Sequence, residues 1–140
     1  MIVTYTALRS LVNGHSAGMV YTLEILCQDI ASPSRRPLVE VSESISGARE
    51  TLRYGAVRTY PVLTFPLSGF SLDMLREFLD SVEGGQSFTC DPYGYNGKTD
   101  SPFTAVLEDG GYSENRDVQI GTGGQDDFFS ITFTVRRLYS

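Results

Sequence analysis

The stretch Ser71–Asp91, SLDMLREFLDSVEGGQSFTCD, constrains the chain more than any other. It reads as one amphipathic helix that stops at two glycines and runs into a strand. Leu72, Leu75, Leu79 and Val82 recur at three- and four-residue spacing, with Met74 and Phe78 widening the stripe. Asp73, Arg76, Glu77, Asp80, Ser81 and Glu83 fall on the other side. That pattern buries one face of a helix against a core. Ser71 is the expected N-cap, since its hydroxyl can accept from a first-turn N–H. Asp73 would complement the helix dipole. Gly84 or Gly85 would take the left-handed turn that ends the helix at about residue 84.

Almost everything else alternates with period two. Residues 2–8 read as a short strand or an arm, followed by an Asn13-Gly14 turn. From Met19 to Cys27, Tyr21, Leu23, Ile25 and Cys27 share one side, with Thr22 and Glu24 opposite. Ser32-Pro33-Ser34 reads as a loop and Pro37 as the opening of a strand to Ile45. Ala48–Gly55 is ambiguous between strand and turn. In the strand from Val57 to Leu67, Leu63, Phe65 and Leu67 face one way and Arg58, Tyr60, Val62 and Thr64 the other. Pro61 and Pro66 cannot donate to a ladder, so that strand is expected at an edge or a bulge. Gln86–Cys90 is a short strand, and DPYGYNGKTDSP, from Asp91 to Pro102, a surface loop. Phe103–Glu108 alternates up to a turn at Asp109-Gly110-Gly111. Val118–Ile120 is a short strand, GTGGQDD a loop, and Phe129–Arg136 the cleanest strand.

The sum is a mainly β (α+β) fold: an antiparallel β-sandwich or barrel of seven to eight strands with one packed helix at about 71–84. Strands do not alternate with helices, which argues against a doubly wound parallel sheet. At 140 residues the chain reads as a single domain, 1–140, able to bury a core without disulfide or metal staples. Residues 1–35 stand as an arm or an added strand pair. No secretory signal and no membrane-spanning run is read.

Site chemistry is sparse. His15, the only histidine, lies in a Gly/Ser/Asn loop and reads as a mobile residue; a hydrolase would have to use it, or paired carboxylates, as its base. Cys27 and Cys90 sit in apolar runs and read as buried thiols. One histidine and two distant cysteines make no metal spacing. Glu108–Asp117 lacks the ligand alternation of an EF-hand and reads as a solvated turn. GTGG at 121–124 lacks the context of a phosphate cradle. No catalytic residue, cofactor or metal is expected.

The net charge is −6 and the sequence pI about 4.6, which disfavours general binding to nucleic-acid phosphates. Lys98 is the only lysine among 11 basic residues. An arginine bias suits protein interfaces, and a GC-rich genome gives the same bias. Arg49, Arg53 and Arg58, with Tyr54 and Tyr60 between them, form an Arg/Tyr-rich stretch suited to subunit or partner contacts; an ordinary polar strand face would look alike. Tyr93 and Tyr95 either meet a protein or sugar partner or fold back over the core.

From residue 38 onward the order of features resembles a known family. SESISGARETLRYG precedes a strand containing YPVLTFPL. The helix LREFLDSVEGGQSF, a DPYG turn, SPFTAVLEDGGYSENR and a final FSITFTVRRL strand follow. This plan resembles the minor tail proteins of long-tailed, non-contractile phages, of the lambda-type minor tail protein M and distal tail protein kind. The resemblance covers roughly the last 100 residues and rests on packing residues, with no catalytic signature. It implies a virion structural protein without enzymatic activity, assembled in the host cytoplasm. It further implies a homo-oligomeric ring, a hexamer, between the tail tube protein and the tail tip or hub proteins that meet the host. If the chain lines a channel, DNA would pass without specific binding, and the net charge alone implies an acidic inner wall that would help it slide by repulsion. A carbohydrate- or protein-binding β-sandwich module is the alternative.

Overall fold

The computed structural model describes residues 1–30, 34–43, 49–117 and 128–138, and over 34–43, 49–57, 109–110 and 117 the backbone alone. The strands are β1 (Ile2–Thr6), β2 (Val20–Glu24), β3 (Cys27–Ile30), β4 (Ser34–Glu43), β5 (Arg49–Thr64), β6 (Phe88–Asp91), β7 (Phe103–Asp117) and β8 (Phe128–Arg137). One helix, α1 (Gly69–Val82), lies between β5 and β6. The eight strands form one sheet in the order β2-β1-β6-β7-β8-β5-β3, with β4 also on β5. The pairings are antiparallel. The fold is therefore mainly β with one helix, in a single sheet.

That sheet curls. Its two ends, β2 and β3, are successive pieces of one segment, broken only at Ile25 and Leu26. Ile25 N–H donates to Met1 O at 2.8 Å, on the β1 side, whereas Leu26 O accepts from Phe65 N–H at 3.2 Å, on the β5 side. β2 and β3 are not paired with each other, so the sheet stays open in its pairing. The sequence reads this segment as a single strand. The face assignment holds across the break, with Leu23 and Ile25 buried and Thr22 and Glu24 exposed. Residues 1–30 are built into the sheet: β1 lies between β2 and β6, and its Val3 and Tyr5 are in the core.

One core joins the sheet to α1, burying Leu72, Leu75, Phe78, Leu79 and Val82 of the helix. Phe78 is its centre, meeting Tyr5 at 5.3 Å and Phe88 at 5.0 Å, both edge-on, the arrangement aromatic quadrupoles favour. The helix starts two residues before the expected cap. Leu67 still exchanges two backbone hydrogen bonds with Phe129, each 2.9 Å, and Gly69, at φ +58°, turns the chain into the helix. Ser68 is the N-cap, without a side-chain bond, and Ser71 and Asp73 lie inside. Gly85, at φ +91°, takes the left-handed turn after α1. Two helix assignments are corrected: Glu77 and Ser81 are buried, because both bond the N-terminal segment.

Three strand expectations also change. β5 is not an edge; it pairs with β8 on one side and with β4 and β3 on the other. Pro61 is tolerated there because the β4 register runs through Thr59 and the β3 register begins at Val62, leaving it between the two. Pro37 lies inside β4, opposite Ala56, on a strand with one described partner. Asp109-Gly110-Gly111 does not reverse the chain. β7 runs through it, and pairing passes from Leu107↔Val135 to Tyr112↔Phe133. That is five steps on β7 against two on β8, so the turn formers are absorbed as an irregularity in a ladder held at both ends. The expected strand at 118–120 and the GTGGQDD loop lie outside the described residues.

Candidate functional site

The candidate contact residues fall into separate places. Arg49, Arg53 and Tyr54 lie on the N-terminal half of β5, opposite β4. Glu43 faces Arg49 and Val39 faces Arg53, while Tyr54 is the extra residue at a register shift. Their side chains lie outside the described residues. Arg58 is half-buried at the start of the β5–β8 ladder, in register with Arg137. Tyr60 is not a surface contact in this chain: it is 5% exposed and stacks on Phe103 with centroids 5.3 Å apart. Its alternation with Val62 and Thr64 puts it on the core face of β5, which the flanking arginines disguise in the sequence.

Tyr93 and Tyr95 do reach the surface, 55% and 73% exposed. Their turn is held from beneath by Asp91, a buried carboxylate that accepts from the N–H groups of Asp100 (2.7 Å) and Ser101 (3.3 Å). Asn96 takes φ +53° and Gly97 φ +75° to form the tip, where Tyr95 and Lys98 exchange backbone bonds of 3.1 and 3.0 Å. The Asn96 N–H donates to the Glu24 carboxylate, which fixes the turn against the end of β2. Beside it, Leu23, Ile25, Leu26, Leu67, Phe70 and Met74 line a mostly apolar cavity of about 210 Å³ between the β2–β3 break and the start of α1.

A second cluster escapes the sequence reading. Glu77, fully buried on α1, accepts from Tyr5 Oη (2.8 Å) and from the N–H groups of Leu11 and Val12 (3.1 Å each). His15 Nδ1 lies 2.6 Å from Glu77 Oε1, and its ring stacks on Tyr21 at 3.7 Å and 5°. His15 is therefore a fastened residue of the loop. Burial alone would raise the Glu77 carboxyl; the hydrogen bonds from His15, Tyr5 and Leu11 outweigh it and hold the group below its ordinary range. Burial, then the Glu77 hydrogen bond, pushes the Tyr5 phenol well up. Ser81 completes the clasp: its Oγ accepts from Leu8 N–H (3.0 Å) and donates to Glu77 O (2.7 Å). Acidic residues on a helix read as solvent-facing by default, and Glu77 gives no sign that its partners come from 62 or more positions away.

Both cysteines are free thiols, Cys90 buried and Cys27 half-buried. Burial pushes the Cys90 thiol up to about 12 and raises Cys27 as well, which keeps both protonated and weakly nucleophilic. Among the described residues, no group of three or more His, Cys, Asp and Glu side chains is placed to hold a metal, and no helix is long and apolar enough to cross a membrane. The chain matches no protein-family model and no curated protein.

Proposed function

We propose that this chain is a structural protein of a phage tail tip, forming a homo-oligomeric ring that joins the tail tube to the tip or host-recognition complex. The observation that carries the reading is the helix–Gly-Gly–strand plan, α1 to β6, followed by the β7–β8 ladder, within one antiparallel sheet. That plan follows the order of features in the minor tail proteins the sequence resembles. The groups that recur here are interface-forming ones: arginine-bearing strand ends, exposed tyrosines and a strand, β4, at a side branch of the sheet. A sheet margin is a natural place for a neighbouring subunit to add. The reading assigns the chain no enzymatic chemistry, with the ring, six copies by analogy, as its working form.

Negative-stain images of the purified protein test it, together with a search for the chain in purified tail particles. Rings in the images and the chain in the particles are expected. A protein that stays monomeric at high concentration and is missing from the particles overturns the reading. The exposure of Tyr95 supports a second reading, a carbohydrate- or protein-binding module. Specific binding on a glycan array, lost in Tyr95→Ala, would favour it over the ring.

A further inference from the structure

β4 and the first half of β5 leave the body of the sheet as a two-stranded ribbon, since the β5–β8 ladder begins at Arg58. The register of this ribbon sorts charge by face. Residues opposite one another on paired strands share a face, and successive residues alternate. Arg35 lies opposite Arg58, Val39 opposite Arg53 and Glu43 opposite Arg49. Positions 35, 39 and 43 are even steps apart on β4, so these pairs fall on one face, which holds four arginines and one glutamate. The other face holds Arg36 against Glu40 and Glu50. Arg53 and Arg58 are five residues apart and would take opposite faces of a regular strand. The extra residue at Tyr54, where the register shifts, brings them to the same one.

The ribbon's five arginines and three glutamates give it a charge of +2, which leaves −8 on the rest of a chain whose total is −6. Part of that −8 is gathered on α1. Asp73 and Glu83 are exposed and Asp80 half-buried. At 3.6 residues per turn the three lie within about 80° of one another around the helix. Arg76 shares their stripe and is bonded to Glu114 of β7 at 2.8 and 2.9 Å, so four carboxylates stand against one guanidinium. The stripe runs about 15 Å at 1.5 Å per residue, between uncharged stretches at 68–72 and 84–90. In its own copy α1 packs on β1 and β7.

We infer that the arginine face of the ribbon in one copy seats on the acidic stripe of α1 in the next, so that the chain associates with itself through oppositely charged surfaces. Charge and length select the occupant. Every copy brings both surfaces, and Arg49 and Arg53 are about 13 Å apart at 3.3 Å per residue, close to the length of the stripe. The ribbon's cations are all arginine, whose planar fork takes a carboxylate by two hydrogen bonds. A nucleic-acid duplex, with one charge per about 1.7 Å, would press an unbroken line of phosphates on the acidic body as well as on the ribbon. Unlike surfaces make a heterologous contact, which closes into a ring or extends as a filament according to its rotation. The inference supplies a contact for the proposed ring and rests on that reading only for closure.

The test is a charge exchange on the full chain, read by sedimentation velocity at low salt. One variant carries Arg49→Glu and Arg53→Glu on the ribbon, the other Asp73→Lys and Glu83→Lys on α1. Matching circular dichroism and Tm establish that both fold. The wild type is expected to associate, and each variant alone to lose at least tenfold, because like charge then meets like. An equimolar mixture of the two is expected to recover the wild-type association, since every ribbon again meets a stripe of opposite sign. The wild type alone gives a second reading: its association is expected to weaken as salt rises, and one that tightens overturns the inference. If the mixture of folded variants does not recover, or either variant alone assembles like the wild type, the inference fails; rings that persist in both leave the ring reading standing without it. A wild type that stays monomeric overturns it, and one that does so while binding a DNA duplex through Arg49 and Arg53 makes nucleic acid the occupant. Recovery by the mixture, for a chain absent from tail particles, leaves the contact standing without the phage role.

Discussion

With both Glu77 oxygens occupied, the segment from Leu8 to His15 is held to α1 by side-chain and backbone donors together. Removing one partner of a buried charged hydrogen bond leaves the others unsatisfied, at a cost of about 2–4 kcal/mol. Glu77→Gln keeps the shape and loses the charge, and should destabilise the fold by that amount in thermal or urea unfolding. The pH dependence follows in sign. A carboxyl that titrates lower in the folded state stabilises the fold above its unfolded pKa, about 4.3, and that contribution is lost as pH falls through the folded value. The wild type should therefore lose stability on acidification below about pH 4, and Glu77→Gln should lose less over the same range. Equal slopes would show that Glu77 is not the group responsible. Gly94 gives a second residue-scale test. A Cβ there would sit 2.9 Å from both Asp91 Oδ2 and Ile2 Cδ1; Ile2 is half-buried, but Asp91 is buried and its Oδ2 is tied to the Asp100 N–H. Gly94→Ala should cost about 1–3 kcal/mol by overpacking, measured as a lowered Tm, and should loosen the tyrosine turn. Neither residue is marked in the sequence. The stripe of Leu72, Leu75, Leu79 and Val82 is visible because it repeats, whereas Glu77 and Gly94 owe their roles to neighbours that only the fold supplies.

At the scale of elements, α1 and the faces of most strands were legible, because period 3.6 and period 2 are properties of adjacent residues. What misled was punctuation. Pro61 marks an edge in isolation but sits between two partner strands on β5, and Asp109-Gly110-Gly111 marks a turn but lies within β7. Local turn chemistry loses where long ladders on both sides hold the chain straight. The β4–β5 pair is the element with the least support. From Arg49 to Val57, β5 pairs with β4, and its ladder with β8 begins at Arg58. Two strands paired only with each other are marginal in water. Amides at 36–43 and 49–57 should therefore exchange with deuterium well ahead of those in β1, β6 and β8, which have neighbours on both sides. Exchange mass spectrometry on the dilute protein checks this, and core-like protection of that ribbon would refute it. Protection that appears only at assembling concentrations would place the ribbon in a subunit contact.

At the scale of the whole molecule, charge and apolar surface oppose each other. Each copy carries a net charge of −6, so copies repel at low ionic strength over a Debye length of about 30 Å at 0.01 M. If exposed apolar side chains such as Phe70 and Leu26 hold an assembly, salt screens this repulsion and leaves the apolar contact untouched. Association should then tighten as salt rises from about 0.01 to 0.3 M. Contacts made instead by the arginines of β5 predict the reverse. The segment 34–64 carries five arginines against three glutamates, whereas the chain as a whole is acidic; a basic strand seated on the acidic body of a neighbour would weaken as salt screens the attraction. Sedimentation across that salt range, at fixed pH and concentration, therefore separates the two surfaces by the sign of one slope. A positive slope that vanishes in Phe70→Glu assigns the contact to the apolar side chains around Phe70, and a negative slope moves it to the arginine-bearing strand.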